Sequence, residues 1–227
     1  MLKNIFVKLL TANLFVFYTV YRMKYDHSFI MKSINPNQLK IRTEVRSGDL
    51  GYLIYLHGKL YGAEYDYNMV YEKYVAQGVA ELMATYDDTK DGVWLVEDKG
   101  EIVGTIAIMG RSGKVAQLRY FLLLPPYRGL GLGKKLVQLA LDFCVAAGYQ
   151  SVYLWTATEL EAAANLYQKF GFVKTKELYF LNSTAIGLHT PNDTQFETAS
   201  LVLLAYGGAK PVCWHLSANC GWPTMAG

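Results

Sequence analysis

An apolar run, Tyr120 to Leu124, is followed by Arg128-Gly129-Leu130-Gly131-Leu132-Gly133-Lys134, and then by an amphipathic stretch that reaches Ala147. A strand, a glycine turn and a helix in that order commit this part of the chain to an α+β (α/β) arrangement built to meet an anion. Three glycines let the backbone approach a ligand without side-chain interference. The first amides of the following helix have no helical partner and point at whatever sits there. A phosphate suits that place best.

Two other glycine-rich loops are excluded by spacing. The phosphate loop G-x-x-x-x-G-K-S/T needs Gly at 128 and Ser or Thr at 135, where Arg128 and Lys135 stand. A dinucleotide fingerprint G-x-G-x-x-G lacks its third glycine, Lys134 standing in its place, and no acid lies near Tyr149 and Gln150. What remains is R-x-x-G-x-G, filled by Arg128, Gly131 and Gly133. Downstream, Leu166-Tyr167-Gln168-Lys169-Phe170-Gly171-Phe172 closes an Ala-rich helix, and Ser151 to Trp155 reads as a short strand between the two motifs. Tyr167 also belongs to an apolar face with Ala163, Leu166 and Phe170, so a packed ring and an exposed hydroxyl are both open to it.

The two motifs together resemble the GNAT N-acetyltransferases, whose R-x-x-G-x-G loop takes the pyrophosphate of acetyl-CoA and whose L-Y-x-x-x-G-F segment ends a fourth helix. The resemblance covers about Leu39 to Tyr206 and implies a GNAT fold, a central mixed, mostly antiparallel sheet flanked by helices. More narrowly, Arg46-Ser47-Gly48-Asp49-Leu50-Gly51, His57-Gly58-Lys59-Leu60-Tyr61 and Glu64-Tyr65 look like the acetyltransferase half of proteins that fuse a MarR-type DNA-binding domain to a GNAT domain. No helix-turn-helix can be placed before them, so nucleic acid is not expected as a partner.

Composition agrees with one globular domain. Apolar residues make up 52% and charged residues 18% of 227. The net charge of +3 is spread out, with a local cluster only at Arg128, Lys134 and Lys135, which suits a cofactor rather than nucleic acid. Cys144, Cys213 and Cys220 form no even disulfide framework, and the first falls on a helix's apolar face. With His215 they make too weak a set to expect a metal.

Residues 1–38 read as a leader, 39–206 as the transferase domain and 207–227 as a C-terminal extension. Leu9 to Tyr21 is too short for a membrane span, and Arg22 to Tyr25 offer no signal cleavage site. Met31 is an alternative start, and a cytoplasmic protein is expected. Within the domain, Leu39 to Val45 reads as a strand, and Leu50, Leu53, Ile54, His57, Leu60 and Tyr61 recur at helical spacing. Val70, Tyr71, Tyr74, Val75, Gly78, Val79, Leu82 and Met83 draw one face of a second helix. A hairpin from Val93 to Met109 and a long strand from Val115 to Leu124 follow, ended by Pro125 and Pro126.

The resemblance implies acetyl transfer from acetyl-CoA to a primary amine of a small molecule or protein by direct attack, without a metal, and a homodimer is common in the family. Backbone groups of Leu122, Leu123 and Leu124 would pair with pantetheine. The amides of Gly129, Leu130, Gly131, Leu132, Gly133 and Lys134 would hold pyrophosphate, with Arg128 adding charge. Tyr167 would be the general acid. Many relatives carry a Glu on the fourth strand as base, but Gln117-Leu118-Arg119 stands there. Glu64 is the candidate base and His57 the other titratable one. Leu160 replaces an Asn common in the family, and Tyr61, Tyr65, Tyr67 and Tyr71 suggest an aromatic acceptor pocket. The rival reading is a non-catalytic acyl-CoA-binding regulatory module.

Overall fold

The strand β1 (Lys40–Arg42) is a short edge strand, and Arg42 at its end meets two acids. Arg42 holds Asp49 with two hydrogen bonds of 2.7 and 2.8 Å and Glu97 with one of 2.7 Å. Asp49 opens helix α1 (Asp49–Tyr65), where its charge favours the helix's positive end and it also accepts from the Arg46 amide at 2.6 Å. The Arg42 guanidinium holds the Asp49 carboxyl below the ordinary aspartate value. This stabilisation is therefore complete at neutral pH and is lost as pH falls through that depressed value. Asp49→Asn is expected to lower stability by about 2 kcal/mol at pH 7 and to flatten the acid limb of a denaturation-midpoint series.

Helix α2 (Met69–Thr85) starts at Asn68, whose side chain accepts from the Val70 amide at 2.9 Å. Its buried face is Tyr71, Val75, Gly78, Val79 and Leu82, as the spacing predicts, while Met83 faces outward. Strands β2 (Gly92–Asp98), β3 (Glu101–Arg111) and β4 (Val115–Leu123) then run antiparallel. Helix α3 (Leu132–Ala146) leads to β5 (Ser151–Ala157), which lies parallel to β4, and helix α4 (Glu161–Lys169) leads to β6 (Val173–Glu177). A small hairpin, β7 (Tyr179–Leu181) with β8 (Thr184–Ile186), precedes β9 (Pro211–Ser217).

The computed structural model describes residues 34–177, 179–181, 184–186 and 211–217. The leader up to residue 33 and Cys220 lie outside them. The main sheet has the order β1-β2-β3-β4-β5-β9-β6, mixed and mostly antiparallel as expected. Side chains of β3 divide between the faces, Val103, Ile106 and Ile108 with α3 and α4, and Ile102, Ala107 and Met109 with α1 and α2, the alternation being interrupted where the β2–β3 register shifts.

The stretch beyond residue 206 is not merely an extension, because β9 lies inside the sheet and pairs along its length with β5 and again with β6. Val212, Trp214 and Leu216 alternate into the core, the period-two pattern of a half-buried strand. The long connection before it separates this pattern from the sheet it completes.

Candidate functional site

Strands β4 and β5 pair only from Val115 to Leu118 against Ser151 to Leu154, and then part. Tyr120 has a left-handed backbone, φ 53°, and the β3–β4 register slips between Thr105 and Ala107. Such a bulge bends its strand and breaks the in–out alternation. Arg119 and Tyr120 consequently both turn toward α2, while Phe121 and Leu123 face α3 and α4. The Leu124 amide donates to Val103, 2.9 Å away. Alternation from it turns the Leu122 backbone toward β3 and those of Phe121 and Leu123 toward the gap. Of the three residues expected to offer backbone groups there, Leu122 and Leu124 turn toward β3 and Leu123 toward the gap.

At the end of the gap Gly131 caps α3 with φ 79°, after Gly129 at φ 76°, conformations that favour glycine. The first helical amide bond runs from Lys135 to Gly131, leaving the amides of Leu132, Gly133 and Lys134 directed outward. Gly133 is packed, since a Cβ there would touch Leu166 and Phe121 at 3.4 Å. Lys134 and Lys135 are exposed in the helix's first turn, where the macrodipole disfavours cations, so an anion would find both charge and donors.

Arg128 is engaged by groups of the chain itself. Its Nε donates to the Leu123 carbonyl at 2.9 Å and its Nη2 to Glu64 at 2.9 Å, so in this structure it braces the loop against β4 and α1. Glu64 is thereby engaged in an ion pair and does not line the cavity described next. Geometry gives no support to Glu64 as the base.

That cavity, about 90 Å³, lies where α1, α2, α4 and the parted strands meet. Tyr61, Tyr67 and Tyr71 line it, with Tyr61 and Tyr67 stacked at 5.7 Å, and Tyr65 flanks them. The Tyr67 hydroxyl donates to Glu159 at 2.8 Å. His57 is buried in the wall, its Nδ1 2.9 Å from the Leu53 carbonyl, and burial pulls its pKa down to about 4. Nδ1 therefore carries the proton, and Nε2 is an acceptor at neutral pH. Leu160 also lines the cavity and precedes α4 without a side-chain cap.

Tyr167 reaches this cavity from α4, only 4% exposed, its ring 6.1 Å from Phe121 and 5.7 Å from Phe172. Burial raises its phenol well above the ordinary tyrosine value, so the hydroxyl stays a donor. Cys144 is fully buried on α3 and burial pushes its thiol up to about 12, which removes it as a nucleophile. Among the described residues no three His, Cys, Asp or Glu side chains gather to hold a metal, and no helix is long and apolar enough to cross a membrane.

Sequence reasoning missed Arg119 as a wall of the cavity. The available signal was a lone cation inside an otherwise apolar strand, Leu118-Arg119-Tyr120-Phe121-Leu122.

Comparison with known proteins bears on this arrangement. An uncharacterized N-acetyltransferase, YjgM, of Escherichia coli is 34% identical over 40% of this chain and 57% of its own length. N-acetyltransferase family 8 member 3 of Rattus norvegicus is 32% identical over 48% of this chain and 53% of its own. The chain thus spans little more than half the length of these curated relatives. Among solved structures, a GNAT-family acetyltransferase of Staphylococcus aureus superposes with a TM-score of 0.57 at 17% identity, over 79% of this chain and 98% of that one. A spermidine N-acetyltransferase of Vibrio cholerae, solved with CoA and spermine, gives 0.51 at 18% identity, over 81% of this chain and 97% of that one. These likenesses show the fold. The model of the acetyltransferase (GNAT) family matches residues 59–172, half of the chain, and the chain belongs to that family.

Proposed function

We propose that this chain transfers an acetyl group from acetyl-CoA to a primary amine by direct attack. The observation that carries the reading is Tyr167, buried on α4 and lining the tyrosine-walled cavity beside the parted strands β4 and β5. In this reading pyrophosphate rests on the amides from Gly129 to Lys134 and pantetheine lies along the gap, facing Leu123. Arg128 and Glu64 hold the loop in place.

The attacking amine must be neutral. The Arg119 cation in the cavity wall disfavours an ammonium there. His57 Nε2 can accept a hydrogen bond from the neutral amine and orient its lone pair. Nitrogen bonds to the carbonyl carbon, the carbon–sulfur bond breaks, and sulfur leaves with the Tyr167 proton. The surplus amine proton passes to water, from which Tyr167 regains its own. Burial raises phenol and leaving thiol alike, so the transfer to sulfur is completed by the return of the surplus amine proton to the phenolate, which leaves no net charge in the cavity. With Cys144 sealed in the core, no covalent acetyl-enzyme is needed.

The absence of a carboxylate on β4, where Gln117 and Arg119 stand, favours one second reading, an acyl-CoA-binding regulatory module. The likeness to MarR-fused transferase halves fits that reading too. Release of CoA thiol from acetyl-CoA with a library of primary amines separates the two. The proposal expects release with a matching N-acetyl product. Binding of acetyl-CoA without release across the library would favour the module.

A further inference from the structure

Beneath α2 lies a charged group that reaches the edge of the cavity. Arg111, Glu81 and Arg119 bring two cations to one anion. Glu81 is engaged by Arg111, at 2.5 and 3.3 Å, and Arg111 also takes the Gln117 carbonyl oxygen at 2.6 and 3.0 Å. Arg119 comes no nearer to Glu81 than 3.7 Å. Its guanidinium lies against the rings of Tyr74 and Tyr120, at 5.3 and 5.0 Å, and among the described residues it makes no hydrogen bond to a protein acceptor.

Arg119 is 8% exposed and lines the cavity. The Tyr120 hydroxyl beside it is buried and also without a partner among the described residues. The two heads crowd the same spot, since a Cβ on Gly78 would collide with Arg119 Nη2 and Tyr120 Oη. Among the described residues no carboxylate lines the cavity, and the Glu159 anion stands behind Tyr67. His57 is neutral, Glu159 accepts from Tyr67 and Glu64 is paired with Arg128.

We propose that Arg119, with the Tyr120 hydroxyl, binds a carboxylate carried by the acceptor, so that the amine acetylated belongs to an amino acid or a similar small amino-carboxylate. A buried cation without a full partner is held at a cost that a bound anion removes. The planar guanidinium matches a carboxylate in geometry, and the group's single surplus positive charge matches a monoanion. A polyamine would bring further positive charge to a wall that already carries one. The inference rests on the acetyl-transfer reading and names its substrate class.

The test measures kcat/KM by CoA thiol release on the full chain with matched pairs, L-phenylalanine and phenethylamine, L-leucine and isoamylamine, glycine and methylamine, together with spermidine. Acetyl-CoA affinity is titrated in parallel. The wild type is expected to prefer the carboxylate member by about 100-fold or more, and Arg119→Gln to reduce that preference to about threefold or less, with acetyl-CoA affinity unchanged. Arg119→Lys, which keeps the charge and loses the fork, should lie between and serves if the Gln variant does not fold. Equal or reversed preference in the wild type overturns the inference, as does a preference that survives both substitutions. Acetylation of spermidine alone, or of none of the pairs by a chain that binds acetyl-CoA, overturns it and leaves the cofactor site standing. Failure of the wild type to bind acetyl-CoA overturns the reading beneath it instead.

Discussion

Tyr167→Phe is expected to lower kcat by about 100- to 1,000-fold while leaving acetyl-CoA affinity within about twofold of wild type. The substitution removes one oxygen from a ring that keeps its contacts with Phe121 and Phe172, so packing changes little. What is lost is the hydroxyl's proton for the leaving sulfur. A thiolate left without it in a low-dielectric cavity is a poor leaving group, and the penalty appears in the chemical step rather than in binding. Steady-state rates and isothermal titration on the same preparation check both halves. An unchanged kcat would remove Tyr167 from the chemistry, and a collapse of affinity would mark its hydroxyl as a cofactor contact.

Gly131→Glu is expected to weaken acetyl-CoA binding by about 100-fold or more. A Cβ at this position meets no atom within 4 Å, so crowding at the backbone is not the objection. Its carboxylate would occupy the end of α3 where the helix's amides and dipole favour an anion, and would repel a pyrophosphate there. Gly131→Ala isolates the backbone. At φ 79° a Cβ costs about 1 kcal/mol of strain, which lowers stability without adding charge. Titrating both variants distinguishes the effects, since strain alone predicts that the two lose affinity alike.

The anion loop and the helix order were legible because each depends on local chemistry. Glycines at positive φ announce the turn at Gly129 and Gly131, and the 3.6-residue spacing of Tyr71, Val75, Val79 and Leu82 announces α2. Two features of the site depend on long-range geometry and were not legible. The bulge at Tyr120 depends on how β4 pairs with β3, and without it Arg119 and Tyr120 would face opposite sides of the sheet. The ion pair of Glu64 with Arg128 joins residues 64 positions apart, so the spacing around Glu64 could not show that its carboxylate was already engaged. The place of β9 in the sheet was likewise invisible, because pairing with β5 is decided across a long connection.

A structure of the chain with CoA bound tests the central claim most directly. The account predicts pyrophosphate oxygens within hydrogen-bond distance of the amides between Gly129 and Lys134, pantetheine in the β4–β5 gap against the Leu123 backbone, and sulfur beside the Tyr167 hydroxyl. CoA seated anywhere else, or with its sulfur turned away from Tyr167, would contradict it.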